Sequence, residues 1–347
     1  RLLKVAGPVE FALTGVLGPD PTGVEVWGNE VVSSSNDGVL VTGADRVQVA
    51  GNEIRNSAGN AIRVEAASEA VVEANVVRSA AQAGIRIRGN GLATVQDNDL
   101  QGGGSVGIVF EASPEPGQGV VRATANRVQD FSAGGLSVTG AETVRLVGNT
   151  VTNVPGGDAV SVRGTGRVDV RDCRFDNASG YGVTVGTPED RSARSVRITG
   201  TIIRQVGKGG VRVVASGPVA VEGNQVRGAA GGSGLSVDAV ASASVAVRGN
   251  TVALAQADGI FLRNAGTGEV RNNQVFSNGQ SGIVLRATSD MRVWNNLVYA
   301  NAAEGIAIGT GGEWSTRSSV AFNTVYANVL RGLRIDGPPT GVIEGGS

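Results

Sequence analysis

Histidine is absent from the 347 residues of this chain, and cysteine and methionine occur once each. Serine and cysteine nucleophiles that depend on a histidine base are therefore excluded, as are histidine-ligated zinc sites. The single cysteine, Cys173, excludes an internal disulfide and a Cys-x-x-Cys redox motif. These scarcities remove several large enzyme classes before any pattern is considered.

Aromatic residues and net charge are scarce as well. Phe, Trp and Tyr make up 4% of the sequence, and 30 basic residues are offset by 31 acidic ones, which gives a net charge of −1. A nearly neutral chain has no general attraction to nucleic acid or to an anionic membrane. No apolar run approaches the roughly 20 residues of a membrane-spanning helix. We therefore expect no nucleic-acid partner and no membrane span.

Glycine, in contrast, is abundant, with 54 residues, and Val, Ile and Leu are spread evenly along the chain. This distribution favours a packed aliphatic core over disorder. An internal repeat explains it, because a pattern of Asn-x-aliphatic recurs at steps of mostly 23 residues. The repeated position is occupied by Asn29, Asn52, Asn75, Asn98, Asn126, Asn149, Cys173, Thr201, Asn224, Asn250, Asn273, Asn296 and Asn323.

Each repeat predicts three short strands. A pair such as Val47 and Val49 precedes the Asn, one aliphatic residue follows it, and a second pair follows a Gly or Ala, as in Gly84-Ile85-Arg86-Ile87. Stacking such coils about 4.8 Å apart pairs every strand and buries a continuous aliphatic column. An Asn at a tight bend tolerates a left-handed backbone, and its amide can bond the next Asn in the stack. The prediction is an all-β parallel β-helix of about 13 coils with an asparagine ladder.

The clearest repeats, from Asn273 to Leu285 and from Asn296 to Ile308, resemble the right-handed parallel β-helix repeats of the pectate-lyase-like superfamily, including NosD-type and surface proteins. The resemblance implies that the Gly-Ile-x-Val strand forms the first sheet, the strand before the Asn the second, and the strand after it the third. It also implies a polysaccharide or glycan partner and a location that is extracellular, cell-surface or periplasmic. It does not specify an activity, because this fold carries many functions.

The predicted domain organisation follows from the extent of the repeat. Residues 24–336 form one parallel β-helix, residues 1–23 an irregular cap or partial coil, and residues 337–347 the start of a further coil or an exit linker. The chain is expected to be a segment of a larger exported or cell-surface bacterial protein.

Four turns between the first and second sheets are longer than the others, and they follow Gly107, Gly182, Gly234 and Gly305. Insertions on one side of a solenoid commonly mark its binding face. We therefore predict that the loops form a wall beside the outward residues of the first sheet. The candidate substrate-binding residues on this face and its loops are Trp314, Arg263, Arg286, Glu313, Phe261, Arg63 and Arg86.

The chemistry of these residues suits a glycan better than a reaction. Arg can pair with a sugar carboxylate through two hydrogen bonds, although its stem can equally cover apolar sheet. A glycosidase needs two carboxylates about 5–9 Å apart, whereas the acids recognised on this face are separated by several coils: Glu65, Glu111, Asp238 and Asp336. We predict a non-catalytic scaffold or glycan-binding rod without a cofactor and without a metal site.

The alternative is a polysaccharide lyase or related polyuronate-modifying enzyme in which Arg and a bound Ca²⁺ act on the sugar carboxylate. Two smaller predictions concern single positions of the repeat. Cys173 replaces an inward-pointing ladder Asn and should be a buried, inert thiol. Phe276, Tyr299 and Tyr326 share one repeat position and should stack in register outside the third sheet.

Overall fold

The computed structural model describes residues 4–6, 12–14, 23–65, 68–89, 91–112 and 119–337. The chain divides into two compact units, Arg1–Gly180 and Tyr181–Ser347. Parallel strands dominate both units, and the one helical element in the described part of the chain is a 3-10 turn at Thr310–Gly312. None of the described segments forms a helix that is long and apolar enough to cross a membrane.

The strands of the first unit form three parallel sheets. The first sheet contains Ala12–Thr14, Val39–Thr42, Ile62–Glu65, Ile85–Arg88, Val106–Glu111, Gly134–Thr139 and Val160–Arg163. The second contains Val24–Trp27, Arg46–Ala50, Glu69–Glu73, Leu92–Gln96, Val120–Thr124, Thr143–Val147 and Arg167–Arg171. The third contains Lys4–Ala6, Glu30–Val32, Glu53–Ser57, Val76–Ala80, Asp99–Gly103, Arg127–Phe131, Thr150–Val154 and Arg174–Ala178.

The second unit repeats the plan. Its first sheet contains Val183–Val185, Val211–Val214, Leu235–Asp238, Ile260–Arg263, Ile283–Arg286, Ile306–Ile308 and Leu333–Ile335. Its second sheet contains Ser195–Thr199, Val219–Glu222, Ser244–Arg248, Thr267–Arg271, Met291–Trp294 and Ser319–Ala321. Its third sheet contains Ile202–Val206, Gln225–Ala229, Thr251–Ala253, Gln274–Phe276, Leu297–Tyr299 and Thr324–Tyr326.

Register follows the repeat, so that equivalent residues of successive coils lie side by side. Ile62 pairs with Ile85 in the first unit, and Ile260 pairs with Ile283 in the second. Burial alternates along strands such as Ile62–Glu65 and Ile260–Arg263, and the inward positions there hold aliphatic side chains that are completely buried. The period of two in the sequence thus becomes one apolar column per sheet.

The ladder asparagines are buried and bonded to each other. The Asn52 Nδ2 lies 3.0 Å from the Asn75 Oδ1, and the same Oδ1 accepts the Asn52 backbone N–H at 2.9 Å. In the second unit Asn224 bonds Asn250 in the same two ways. Each amide therefore satisfies polar groups that would otherwise be buried without partners. The predicted all-β parallel solenoid and its asparagine ladder are confirmed, with seven ladder positions in the first unit and six in the second.

One detail of the predicted bend is wrong. The left-handed residue is not the ladder Asn but the residue before it, as at Gly51, Ala74 and Asp97, where φ is 61°, 52° and 55°. This placement leaves the Asn side chain pointing inward, where it can reach the next coil. Alanine accepts the left-handed conformation here although Gly and Asn adopt it more readily.

Cys173 is buried as predicted, and its Sγ lies 3.2 Å from the Arg171 carbonyl oxygen. Burial raises the pKa of the Cys173 thiol to about 11, so that the thiol stays protonated and unreactive at neutral pH. Cys173 and Thr201 are the last ladder position of the first unit and the first of the second. The substitution for Asn thus falls where the two units meet in sequence.

The predicted domain boundaries stay predictions. Within residues 1–23, the strands Lys4–Ala6 and Ala12–Thr14 pair with Glu30–Val32 and Val39–Thr42. Residues 338–347, which include most of the predicted further coil or linker, lie outside the described residues.

Candidate functional site

The outward face of the first sheet in the second unit is a continuous row of side chains in register. Its middle position is occupied by Thr184, Arg212, Ser236, Phe261, Val284, Ala307 and Arg334. Two residues further along three of these strands lie Asp238, Arg263 and Arg286. This face therefore carries small, aromatic and charged side chains rather than side chains of one type.

The loop that follows Val183–Val185 leans towards later coils. A turn is closed by reciprocal backbone hydrogen bonds of 3.0 Å between Thr187 and Asp190. From this turn Arg191 reaches Asp238, two strands further along the sheet, with 3.0 Å between Arg191 Nη2 and Asp238 Oδ2. The carboxylate of Asp238 also accepts a hydrogen bond of 2.8 Å from Asn264 Nδ2. The first inserted loop is thus anchored near the centre of the face.

The loop that follows Ile306–Ile308 leans in the opposite direction. Gly309, Gly311 and Gly312 have φ angles of 72°, 74° and 79°, so the chain turns sharply here in a way that favours glycine. Glu313 then forms an ion pair with Arg263, two strands back along the sheet. Val284 is only 2% exposed, although its side chain belongs to the outward row. Other residues therefore cover it.

The two loops converge on adjacent strands, because Asp238 and Arg263 are paired in register. The face between them offers the ring of Phe261, with Ser236 beside it in register, and Trp314 of the second loop keeps 40% of its surface exposed. A track bounded by two loops and carrying aromatic and hydrogen-bonding groups has the features of a sugar-binding groove.

The predicted site residues separate into two groups. Trp314, Glu313, Arg263, Arg286 and Phe261 belong to the second unit, on two neighbouring strands and the second loop. These positions are the ones that the structure brings together.

The other two predicted residues belong to the first unit. Arg63 forms ion pairs with Glu65 and with Asp37, the latter at 3.4 Å between Arg63 Nη1 and Asp37 Oδ2. Arg86 pairs with Glu111 at 2.9 Å. Both arginines are thus neutralised by acids of their own sheet face, and their role in ligand binding stays a prediction.

A family model for the right-handed beta helix region matches residues 14–160 and 189–342. The chain belongs to this family. The match bears out the resemblance to pectate-lyase-like β-helix repeats. No curated protein matches the sequence.

Solved structures of other β-helix proteins are similar to this one at low identity. The Dettilon tailspike protein gp208 is 14% identical, with a TM-score of 0.49 over 82% of this chain and 61% of the tailspike. The A-module of the Azotobacter vinelandii mannuronan C-5 epimerase AlgE6 is 14% identical, with a TM-score of 0.45 over 85% of this chain and 91% of the module. The α-1,3-glucanase catalytic unit of Streptomyces thermodiastaticus is 14% identical, with a TM-score of 0.38 over 89% of this chain and 62% of that unit. The chain therefore spans less than two thirds of the tailspike and of the glucanase, and these likenesses concern the fold.

Sequence reasoning missed a buried polar column in this β-helix protein. Asp258, Ser281 and Glu304 each precede the glycine that begins a first-sheet strand, and all three are buried. Asp258 Oδ1 accepts the Ser281 backbone N–H at 3.0 Å, and Ser281 Oγ lies 3.2 Å from Glu304 Oε2. The sequence does hold one clue to this column, because an earlier repeat also has an acid at this position, Asp37. Its Oδ1 accepts the backbone N–H of Asn60 at 2.7 Å.

The two ends of this column differ in their electrostatics. Burial raises the pKa of Asp258, and the Glu304 charge raises it further, whereas Arg286 and the Ser281 N–H oppose the rise. Glu304 lies 3.3 Å from Arg334 and 3.6 Å from Arg331. Across the residues that the structure describes, no group of three or more Asp, Glu, Cys or His side chains is placed to bind a metal ion. The acids of this face therefore act as hydrogen-bond acceptors and ion-pair partners.

The predicted aromatic stack is confirmed outside the third sheet. Ring centroids of Phe276 and Tyr299 lie 4.9 Å apart, and those of Tyr299 and Tyr326 lie 5.1 Å apart, with nearly parallel planes. Tyr299 is stacked between the other two rings, and Tyr326 is 51% exposed at the end of the stack. The stack is therefore better suited to fixing register than to binding sugar.

Proposed function

We propose that the second unit binds a polysaccharide along the outward face of its first sheet, between the two inserted loops, and that it does so without catalysing a reaction. The convergence of the loops on Asp238 and Arg263 carries this proposal. Each loop crosses two strands to form an ion pair, and the two pairs lie on adjacent strands beside Phe261. A binding surface held in shape beforehand loses little entropy when a ligand binds.

The exposed indole of Trp314 supports the same function. A half-exposed Trp on an anchored loop offers an apolar ring face together with an N–H donor, a combination that suits the faces and hydroxyls of a sugar. Glu313 beside it is paired with Arg263. In keeping with a glycan ligand, we also propose that the protein is exported or displayed at the cell surface.

A glycan array tests the proposal, with the wild type compared with Trp314→Ala and Arg263→Ala. Binding of at least one polysaccharide class should weaken by about tenfold or more in both variants, since Arg263 holds the loop that carries Trp314. Trp27→Ala is the matched control, because Trp27 is more exposed, at 62%, and belongs to the first unit. Absence of glycan binding by the wild type would overturn the proposal.

A second assay distinguishes the alternative, a polysaccharide lyase, from a protein that only binds its polymer. The protein is incubated with polyuronates and Ca²⁺, and the ultraviolet absorbance of unsaturated products is followed. A non-catalytic protein gives no absorbance increase under conditions in which it binds the same polymer. An increase that disappears in Arg286→Gln would replace the binding function with the lyase function.

A further inference from the structure

Arg286 differs from its neighbours in the groove because it has no acidic partner. It ends the strand Ile283–Arg286 and pairs in register with Arg263. Its guanidinium carbon lies 5.4 Å from the centre of the Phe261 ring. Among the described residues it finds neither a hydrogen-bond acceptor nor an ion-pair partner, and its Nε is buried and unsatisfied. An unpaired, partly buried guanidinium calls for an explanation.

Two other arginines beside the groove are paired with acids. Arg191 is neutralised by Asp238, and Arg263 is neutralised by Glu313. Asp258 is a buried carboxyl that senses the charge of Arg286, but the described residues give Arg286 no ion pair. The guanidinium is therefore able to bind an external anion.

Packing rather than salt bridges holds the guanidinium in place. The Phe261 ring lies beneath it, and the backbone of the second loop also approaches it, since a Cβ at Gly311 would be 3.7 Å from Arg286 Cζ. A guanidinium fixed by stacking presents its two terminal nitrogens in one orientation, which suits two-point bonding to an oxyanion.

A second unsatisfied atom lies close to this group. Glu313 bonds Arg263 through Oε1, whereas its Oε2 is buried without a donor. Arg263 and Arg286 are neighbours in register, so the loop residue that pairs with Arg263 and the unpaired Arg286 belong to the same part of the face.

We propose that Arg286 is the specificity-determining residue of the groove and that it binds the oxyanion, carboxylate or sulfate, of a charged sugar unit. This inference rests on the proposed glycan-binding function and names its ligand class. A neutral polysaccharide would leave Arg286 without a partner and should bind more weakly than a charged one.

Titration calorimetry with three polymers tests the assignment: polygalacturonate, dextran sulfate and uncharged dextran. The wild type should bind at least one of the two anionic polymers tenfold or more tightly than dextran. Arg286→Gln should lose that advantage, and Arg286→Lys, which keeps the charge but not the planar fork, should lose part of it. Arg292→Gln is the matched control, because Arg292 is an exposed arginine on the second sheet of the same unit. Its affinities should stay within about twofold of the wild type.

The outcomes distinguish the two proposals. Binding of anionic polymer by Arg286→Gln at wild-type strength, with the variant shown to be folded by its thermal transition, would overturn the role of Arg286 and leave the glycan-binding function intact. The same holds if dextran binds as tightly as both anionic polymers. A wild type that binds none of the polymers or array glycans would overturn both. Binding of polygalacturonate identifies the oxyanion as a carboxylate, and binding of dextran sulfate identifies it as a sulfate.

Discussion

The first-sheet faces of the two units carry similar charged residues but pair them differently. In the first unit, Arg63 and Arg86 bond acids that project from the same sheet face, namely Glu65 and Glu111. In the second unit, two pairs join a strand to an inserted loop, namely Asp238 with Arg191 and Arg263 with Glu313. The first arrangement stabilises a surface locally, whereas the second fixes two loops over the sheet, beside Arg286.

The same contrast applies to two acids that occupy equivalent positions in their repeats. Asp37 and Asp258 each precede the glycine that begins a first-sheet strand, and each accepts a backbone N–H from the next coil. Asp37 faces Arg63 at 3.4 Å, whereas the residue at the position of Arg63 in the coil after Asp258 is the buried Val284. A single residue of the neighbouring coil thus decides whether a buried acid has a cation.

Arg63→Val would test this comparison most strongly, because it gives Asp37 the environment of Asp258. The ionised carboxylate would be left buried without a cation, which should lower the free energy of unfolding by about 2 kcal/mol near neutral pH. Urea denaturation at pH 7 measures the change. A variant as stable as the wild type would show that the buried Asp37 does not depend on Arg63.

Arginine exchange in the two units tests whether pairing decides ligand binding. Arg286→Gln should weaken anionic polysaccharide binding by about tenfold, as a lost bidentate contact predicts, whereas Arg86→Gln should leave the affinity within about twofold of the wild type. The physical reason is that Arg86 is already bonded to Glu111. Calorimetric titration of both variants with the same polymer gives the ratio. A larger loss for Arg86→Gln would mean that the groove is in the first unit.

Asp258→Asn should have the smallest effect, and it should depend on pH. The pKa of Asp258 is raised in the folded protein, so the folded state holds its proton more tightly than the unfolded chain does. Wild-type stability is therefore lost as pH rises from about 4, the ordinary pKa of an Asp, through the raised value. The variant lacks this loss, and its amide oxygen can still accept the Ser281 N–H. Its stability relative to the wild type should increase across that window.

Thermal unfolding of the Asp258→Asn variant and the wild type at several pH values checks this expectation. If the difference in unfolding free energy between the variant and the wild type is the same at every acidic pH, folding does not change the pKa of Asp258. Asp336→Asn is a useful control, because Asp336 is an acid of the same sheet face that is bonded to Arg334 at 2.7 Å rather than buried under a valine.

Much of the fold could be predicted from the sequence because the repeat constrains it. The spacing of two within each apolar pair fixes the strands, and the step of about 23 residues fixes which strands pair, as the register of Ile260 with Ile283 confirms. The ladder was predictable for the same reason. The left-handed position was misplaced by one residue, because several residue types can occupy that bend and Ala74 gives no local signal.

The candidate site was only half predictable. Phe261, Arg263, Arg286, Glu313 and Trp314 could be chosen from repeat position and loop length, but their partners could not. The partner of Arg191 is 47 residues away and that of Arg263 is 50 residues away. Asp258 and Glu304 were overlooked because they precede the strand rather than alternate within it.

The sequence by itself determined the period, the three sheets, the register and the inward ladder of this β-helix protein, since all of these follow from contacts between equivalent positions of neighbouring repeats. Only the tertiary structure decided which charges are satisfied. Ion pairing depends on the paths of two irregular loops, each of which crosses two strands before it bonds. No periodicity describes those paths, so the unpaired guanidinium of Arg286 became visible only when the loops were in place.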